Sequence, residues 1–286
     1  RAGNILVPVG RYNLYHESHV NNLVDRPLVS RRIAPTTWWE EGLGFHGTVM
    51  DTDSLGLSYE AYLFNPGRPD RVTPGAGFRD IRGQAATPIS EKKAGAARIA
   101  LEPARSAKWF ADYFELGLSG YVTGFKGFED ADDGINQRGG TAYVIAMDMQ
   151  YEKSIFGIKG EIVKAHTDAG ANAANAGQDA WGWWVEGWVK FWPSFLNGSP
   201  FERDFKDPKL VFATRFDWVD LSEEHFDQRD LNRVTFGIGY RPVPTTVFKF
   251  DYQIDHSPSG RDGTTLSESG HGKNTDAFLF SVSTGF

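Results

Sequence analysis

Cysteine is missing from this 286-residue chain altogether, which suits passage through an oxidising compartment. No stretch approaches the roughly 18 apolar residues that a membrane helix needs, and helical periodicity is hard to find anywhere. Basic excess is missing too: the formal net charge of −7 argues against a nucleic-acid partner, which would carry a basic stripe. Neither an HExxH motif nor a GxSxG elbow occurs. The seven histidines, His16, His19, His46, His166, His225, His256 and His271, fall mostly in loops or at strand ends, with only His46 well inside a strand. No catalytic residue, metal set or cofactor is therefore expected, and the chain reads as a non-enzyme. Mean hydropathy is negative, but that measure is blind to a chain in which only every second residue meets lipid.

What is plentiful is aromatic residues, glycine and strict alternation. At the C-terminus Phe278, Phe280, Val282 and Phe286 share one face, and Ser281, Ser283 and Gly285 share the other. Residues 246–256 repeat the pattern, with Phe248, Phe250, Tyr252 and Ile254 opposite Lys249, Asp251, Gln253 and Asp255. Residues 233–241 do so again with Val234, Phe236, Ile238 and Tyr240. Twelve strands are predicted, near 3–10, 38–50, 55–65, 94–103, 114–125, 140–152, 155–166, 180–192, 209–220, 232–242, 246–256 and 275–286. Nearly every charge within them falls on the polar parity, Lys164 being the main exception. A lipid-facing Arg or Lys at mid-membrane costs about 2–4 kcal/mol, which gives the segregation a physical cause.

Connections divide into tight turns at Asp51–Ser54, Lys153–Ser154 and Pro242–Thr245, and long polar loops over 11–37, 66–93, 126–139, 167–179, 221–231 and 257–274. The two classes alternate once 104–113 and 193–208, both longer than usual, are grouped with the turns. Short periplasmic turns and long extracellular loops are the habit of outer-membrane barrels. Tyr151, Phe156, Phe191, Tyr240, Trp192, Phe195 and Phe286 would then form an aromatic girdle at the turn rim, with Trp183, Trp218 and Phe278 towards the other. A soluble β-sandwich alternates as well, but gives no reason to keep charge on one parity over so many strands. The fold expected is all-β: one antiparallel transmembrane β-barrel domain over residues 1–286. About 12 strands are visible, with about 14–16 in an intact parent whose signal and first strands lie outside this chain.

The segments Leu6-Val7-Pro8-Val9-Gly10-Arg11-Tyr12-Asn13, Asp25-Arg26-Pro27-Leu28-Val29 and Pro35-Thr36-Thr37-Trp38 resemble the bacterial outer-membrane porins grouped with phosphate-selective porins O and P. Phe191-Trp192-Pro193-Ser194-Phe195-Leu196-Asn197, Arg215-Phe216-Asp217-Trp218-Val219-Asp220 and Phe236-Gly237-Ile238-Gly239-Tyr240-Arg241-Pro242 extend the resemblance over most of the chain. It implies a trimeric, sixteen-stranded channel in the outer membrane of a Gram-negative bacterium, in contact with lipid bilayer and lipopolysaccharide. Phosphate selectivity in that family rests on ladders of Arg and Lys. This chain departs from the ladder.

By parity the lumen receives Arg98, Lys159, Lys190, Arg215, Arg233, Arg241 and Lys249, but also Glu161, Glu186, Asp217 and Asp251 among other carboxylates. Charge rings set ion selectivity in pores; mixed signs can equally form salt-bridged struts across a polar wall. The loop from Arg11 to Thr37 is long enough to fold inward as a constriction carrying Arg26, Arg31 and Arg32, or to stay at the surface. Trp184 and Trp188, on lumen parity, suit either a solute track or packing against an inserted loop. Outward Gly160 and Gly187 suit a flat subunit contact or simple relief of strain. The run Glu129-Asp130-Ala131-Asp132-Asp133-Gly134 lacks a carboxylate where a calcium loop requires one. The function expected is a porin for small hydrophilic solutes or ions, including anions such as phosphate. The competing reading is a plugged, non-channel barrel serving as receptor, adhesin or anchor.

Overall fold

Alternation of period two fixes the face of every residue once one pairing is set, and the strand pairings hold that phase except for shifts between Thr48 and Met50 and between Tyr240 and Val243. The computed structural model describes residues 1–67, 72, 77–82, 92–125, 129–130, 135–136, 140–168, 178–221, 230–257 and 273–285. Twelve antiparallel strands form one sheet in simple chain order: β1 (Ala2–Leu6), β2 (Trp39–Asp51), β3 (Leu55–Phe64), β4 (Ala94–Pro103), β5 (Tyr113–Phe125), β6 (Gly140–Lys153), β7 (Phe156–Thr167), β8 (Gln178–Phe191), β9 (Lys209–Asp220), β10 (Asp230–Val243), β11 (Thr246–Ser257) and β12 (Lys273–Thr284). Each strand pairs with its sequence neighbours. The loop 126–139 holds a separate hairpin, Glu129–Asp130 with Ile135–Asn136. Phe286, His225, His271 and the rest of the acidic run, Ala131 to Gly134, lie outside the described residues.

The register stacks like with like. One row across the sheet reads Ile158, Gly187, Thr214, Phe236, Tyr252 and Phe278, all outward. The adjacent row reads Lys159, Glu186, Arg215, Thr235, Gln253 and Ala277, all inward. Outward apolar side chains are bare, Phe45 being 75% and Phe280 68% exposed, whereas the inward charges Glu186, Arg215, Asp217 and Lys249 are buried. The usual arrangement of a water-soluble sheet protein is reversed.

Tight turns at 52–54, 154–155 and 244–245 gather at one rim, with the longer connections 104–112 and 192–208 beside them. Ser154 sits at φ 54°, a left-handed turn position, and its N–H donates to Asp112 Oδ2 at 2.6 Å. The end strands of the sheet, β1 and β12, run in opposite senses, and neither has a second strand neighbour among the described residues. An antiparallel barrel with such ends closes either directly or through an even number of further strands.

The first strand stops four residues short of the predicted 3–10, because Val7 and Val9 leave the wall for the interior, where both are fully buried. The chain then turns at Gly10 (φ 71°) into α1 (Arg11–Leu14), and α2 (Leu28–Arg32) follows before Trp38 returns it to β2. This inserted segment, residues 7–38, fills the concave side. Its Val7, Val9, Val29, Ile33 and Trp38 pack with Tyr62, Phe64, Phe78, Ile81 and Tyr121 into the main hydrophobic core, at the long-loop half of the molecule.

A smaller cluster of Leu23, Trp188, Val211 and Ala213 lies nearer the turn rim. There the Trp188 indole occupies the space that a side chain at Gly157 would need. Gly157→Ala is expected to displace Trp188 and to cost about 1–3 kcal/mol by overpacking, read as a lower urea midpoint. An unchanged midpoint would mean that Trp188 moves freely.

Candidate functional site

A carboxylate or guanidinium turned inward from a narrow sheet must find a partner, since burying it unpaired is far more costly than burying an apolar group. Cross-strand neighbours supply the first. Asp217, Arg233 and Asp255 are adjacent in register, as are Lys159, Glu186 and Arg215. Arg98 grips Asp148 with two nitrogens, at 2.5 and 2.8 Å, and Arg233 grips Asp255 at 2.6 and 2.7 Å. Opposite charges at cross-strand positions attract, so the wall is self-compensating before anything is inserted.

The segment supplies the rest. Asn13 clasps its two arms: its amide nitrogen donates to the carbonyls of Val7 (2.7 Å) and Trp38 (3.2 Å), and its oxygen accepts from Trp38 N–H (2.9 Å). Arg11 reaches Glu115 at 2.5 Å and Gln150 at 2.9 Å. The N–H of Tyr12 donates to Glu161, Val24 to Asp251 and Leu28 to Asp217. In the other direction Arg215 donates to the carbonyls of Asp25 and Arg26, Arg241 to those of His19 and Asn21, and Lys249 to those of Ser18 and Leu23. Lys159 donates to Asn21, and Asn22 to Glu186. The segment thus descends from the long-loop rim, bares Tyr15 and Val20 near the turn rim, and climbs back.

Nine of the eleven inward residues singled out from parity, namely Lys159, Glu161, Glu186, Arg215, Asp217, Arg233, Arg241, Lys249 and Asp251, bond the segment directly. Arg98 does so through Glu115, and Lys190 lies half-buried over the Trp188 ring at 5.1 Å. They are inward, as parity requires, and all but Lys190 hold the strap, directly or through Glu115. Trp184 meets Tyr12 edge-on at 6.2 Å and Trp188 packs on Leu23, so both are occupied by packing. Between strap and wall a cavity of about 200 Å³ remains, lined by Arg11, Tyr12, Tyr15, Gln150, Lys159 and Trp184.

The three candidate constriction arginines separate. Arg26 donates to Thr36 within the segment (2.7 Å), Arg31 pairs with Asp25 (2.7 Å) and keeps an exposed side chain, and Arg32 is half-buried. Burial, with Arg31, Arg233 and Arg79 nearby, lowers the Arg32 guanidinium from its ordinary range. Burial alone would raise Asp25, but Arg233 and Arg31 on its carboxylate, with the Arg26 N–H, hold it below that range.

Among the described residues no group of His, Asp and Glu could hold a metal ion. His46 faces inward beside Glu60, as its register requires. What parity did not identify is the strap's own contribution: Asn13, Asn21, Asn22 and Asp25. The sequence signal for them is faint, two asparagines together in a long loop.

No family model matches the chain. An uncharacterized protein of Aquifex aeolicus (strain VF5) is 48% identical over 65 residues, which are 23% of this chain and 14% of that protein. The match thus spans a small part of the relative.

Two outcomes are expected. Arg215→Ala leaves Asp217 and Glu186 without their shared cation, at a cost of about 3–5 kcal/mol for a broken buried pair, and should open the chain after Arg31 and Arg32 to trypsin, the bond after Arg26 being closed to it by Pro27. Asp25 contributes its anchoring fully above the ordinary carboxylate range and loses it as pH falls through its lowered value. The urea midpoint should therefore hold at neutral pH, and its fall on acidification below the ordinary carboxylate range should be blunted in Asp25→Asn, which lacks the titrating group.

Proposed function

We propose that the chain is an outer-membrane β-barrel that passes small hydrophilic solutes by diffusion through a lumen narrowed by the strap of residues 7–38. The single observation behind this reading is the inversion of faces: bare aromatic and aliphatic side chains all over the convex side, and paired charges on the concave side. That inversion suits a wall with lipid outside and water or polar protein inside. The reading includes a Gram-negative outer membrane, lipid and lipopolysaccharide around the wall, and a homotrimer like the porins that the sequence resembles.

Passage would follow the side the strap leaves uncovered. There, towards the turn rim, His46, Thr48 and Ser58 are exposed on the inward face of β2 and β3, with Glu60 partly so. The inward basic residues along β7–β11, apart from Lys190 over the Trp188 ring, are tied to carboxylates or strap groups, so they give little support to an anion ladder. Weak cation preference, set by Glu60 and tempered by Arg1 at 3.7 Å from its carboxylate, is the expected selectivity.

A plugged barrel is the second reading, favoured by the apolar core of strap and wall at the long-loop half, where Val7, Val29, Ile33 and Trp38 are completely buried.

Conductance and reversal potential in a planar bilayer under a salt gradient test both. The channel reading expects stepwise conductance, a rise when residues 18–32 are deleted, and a loss of cation preference in Glu60→Gln. Silence that yields to conductance only after the deletion would favour the plug. Silence in both forms would overturn the channel.

A further inference from the structure

Two of the connections at the turn rim are far longer than a barrel turn needs, and both are built the same way. In residues 104–112 the chain coils on itself, with Phe110 N–H donating to Ala107 O at 2.8 Å, and the Tyr151 hydroxyl donates to Phe110 O at 2.5 Å. In residues 192–208 a short helix, α3 (Pro200–Arg203), is held as the Tyr240 hydroxyl donates to Phe201 O at 2.5 Å. Each tyrosine is an outward residue of the next strand but one, near its turn-rim end. Each connection is therefore drawn back against the outside of the wall and not across the mouth.

The rings follow. Phe110 meets the outward Phe114 and Tyr151 at 5.7 and 5.5 Å, and Phe201 and Phe205 meet Tyr240 at 5.7 and 6.4 Å. Beyond these stacks Trp109 and Phe195 stand 84% and 83% exposed, with Phe201 at 58%. Clusters of bare aromatics of this kind mark an interaction surface. They continue the apolar outer wall without a break: Tyr240 stacks in turn on the outward Phe248 at 6.1 Å. Across both connections Arg105, Lys108, Arg203 and Lys206 are balanced in number by Asp112, Glu202, Asp204 and Asp207. Amphipathic rings with balanced charge fit the headgroup layer of a bilayer, where such side chains concentrate, and give no reason for preferring anionic lipid.

We propose that the connections 104–112 and 192–208 are interfacial feet, which seat Trp109, Phe110, Phe195 and Phe201 among zwitterionic phospholipid headgroups at the turn rim. The proposal rests on the membrane reading of the wall, and the test separates the two. Because the chain has no cysteine, single cysteines can carry a polarity-sensitive fluorophore. Trp109→Cys and Phe195→Cys report the feet, Phe236→Cys the wall and Asp53→Cys the tight turn. Each labelled protein is reconstituted into phosphatidylcholine vesicles containing brominated lipid. Emission at 109 and 195 should shift to the blue, be quenched by brominated lipid and be shielded from iodide, as at 236 and unlike 53, and added phosphatidylglycerol should change none of this. Lipid contact at 236 with aqueous behaviour at 109 and 195 would overturn the feet alone, as would contact that needs phosphatidylglycerol. Aqueous behaviour at 236 as well would overturn the membrane reading and the feet together.

Discussion

Inward charge is the constraint from which the architecture follows. With the bare apolar side chains on the convex face, the charged inward residues of the strands point into a space that they share with the strap and its apolar core. Buried guanidinium, ammonium and carboxylate groups destabilise a fold unless each is paired and bonded. Cross-strand register supplies opposite charges, as in the row of Asp217, Arg233 and Asp255. The strap then meets remaining donors and acceptors with its own backbone: its N–H groups face the carboxylates Glu161, Asp217 and Asp251, and its carbonyls face Arg215, Arg241 and Lys249. A loop rich in unpaired peptide groups and a wall rich in charge solve each other's problem. Gly10 shows how close the fit is, since a side chain there would collide with the Glu161 carboxylate.

This arrangement changes what the basic residues can do. A cation selects anions in a pore when its field reaches the permeating ion uncompensated. Arg215 donates to Asp217 and to two strap carbonyls, and Lys249 is ringed by Ser18 and Leu23, so both fields are largely answered at close range. Counting inward cations along strands therefore overstates any anion preference. The side chains that remain open, His46, Thr48 and Ser58, lie on the opposite flank, beside Glu60, which pairs with Arg1 at 3.7 Å.

Legibility in the sequence followed the range of the physics. Period-two alternation is local, and it identified twelve strands whose ends mostly fall within two residues of those observed, for example Lys209–Asp220. It also assigned faces correctly, because charge on the outer face carries a direct cost. The strap's path was not legible in the same way. Val7 and Val9 continue the alternation of β1, and only the buried core waiting inside explains why the chain leaves the wall at Leu6. Asn13 looks like any loop asparagine until Val7 and Trp38 are seen to be neighbours. Trp184 and Trp188 presented two uses on paper, and contact with Tyr12 and Leu23 distinguishes them.

The two rims differ in what their connections must do. At the long-loop rim the first connection leaves the wall and enters the lumen, so its side chains are chosen for partners inside: Arg11, Asn22 and Asp25 each reach an inward residue of the sheet. At the turn rim, a hairpin of two residues suffices for β6 and β7. The added length of 104–112 and 192–208 therefore answers no need of chain reversal. Their tethers, Tyr151 and Tyr240, are outward residues, so the extra chain is held on the outer side of the wall, where Trp109 and Phe195 stand bare. The same alternation that sends charge inward places those tyrosines outward, and one periodic pattern thus directs both the strap and the feet.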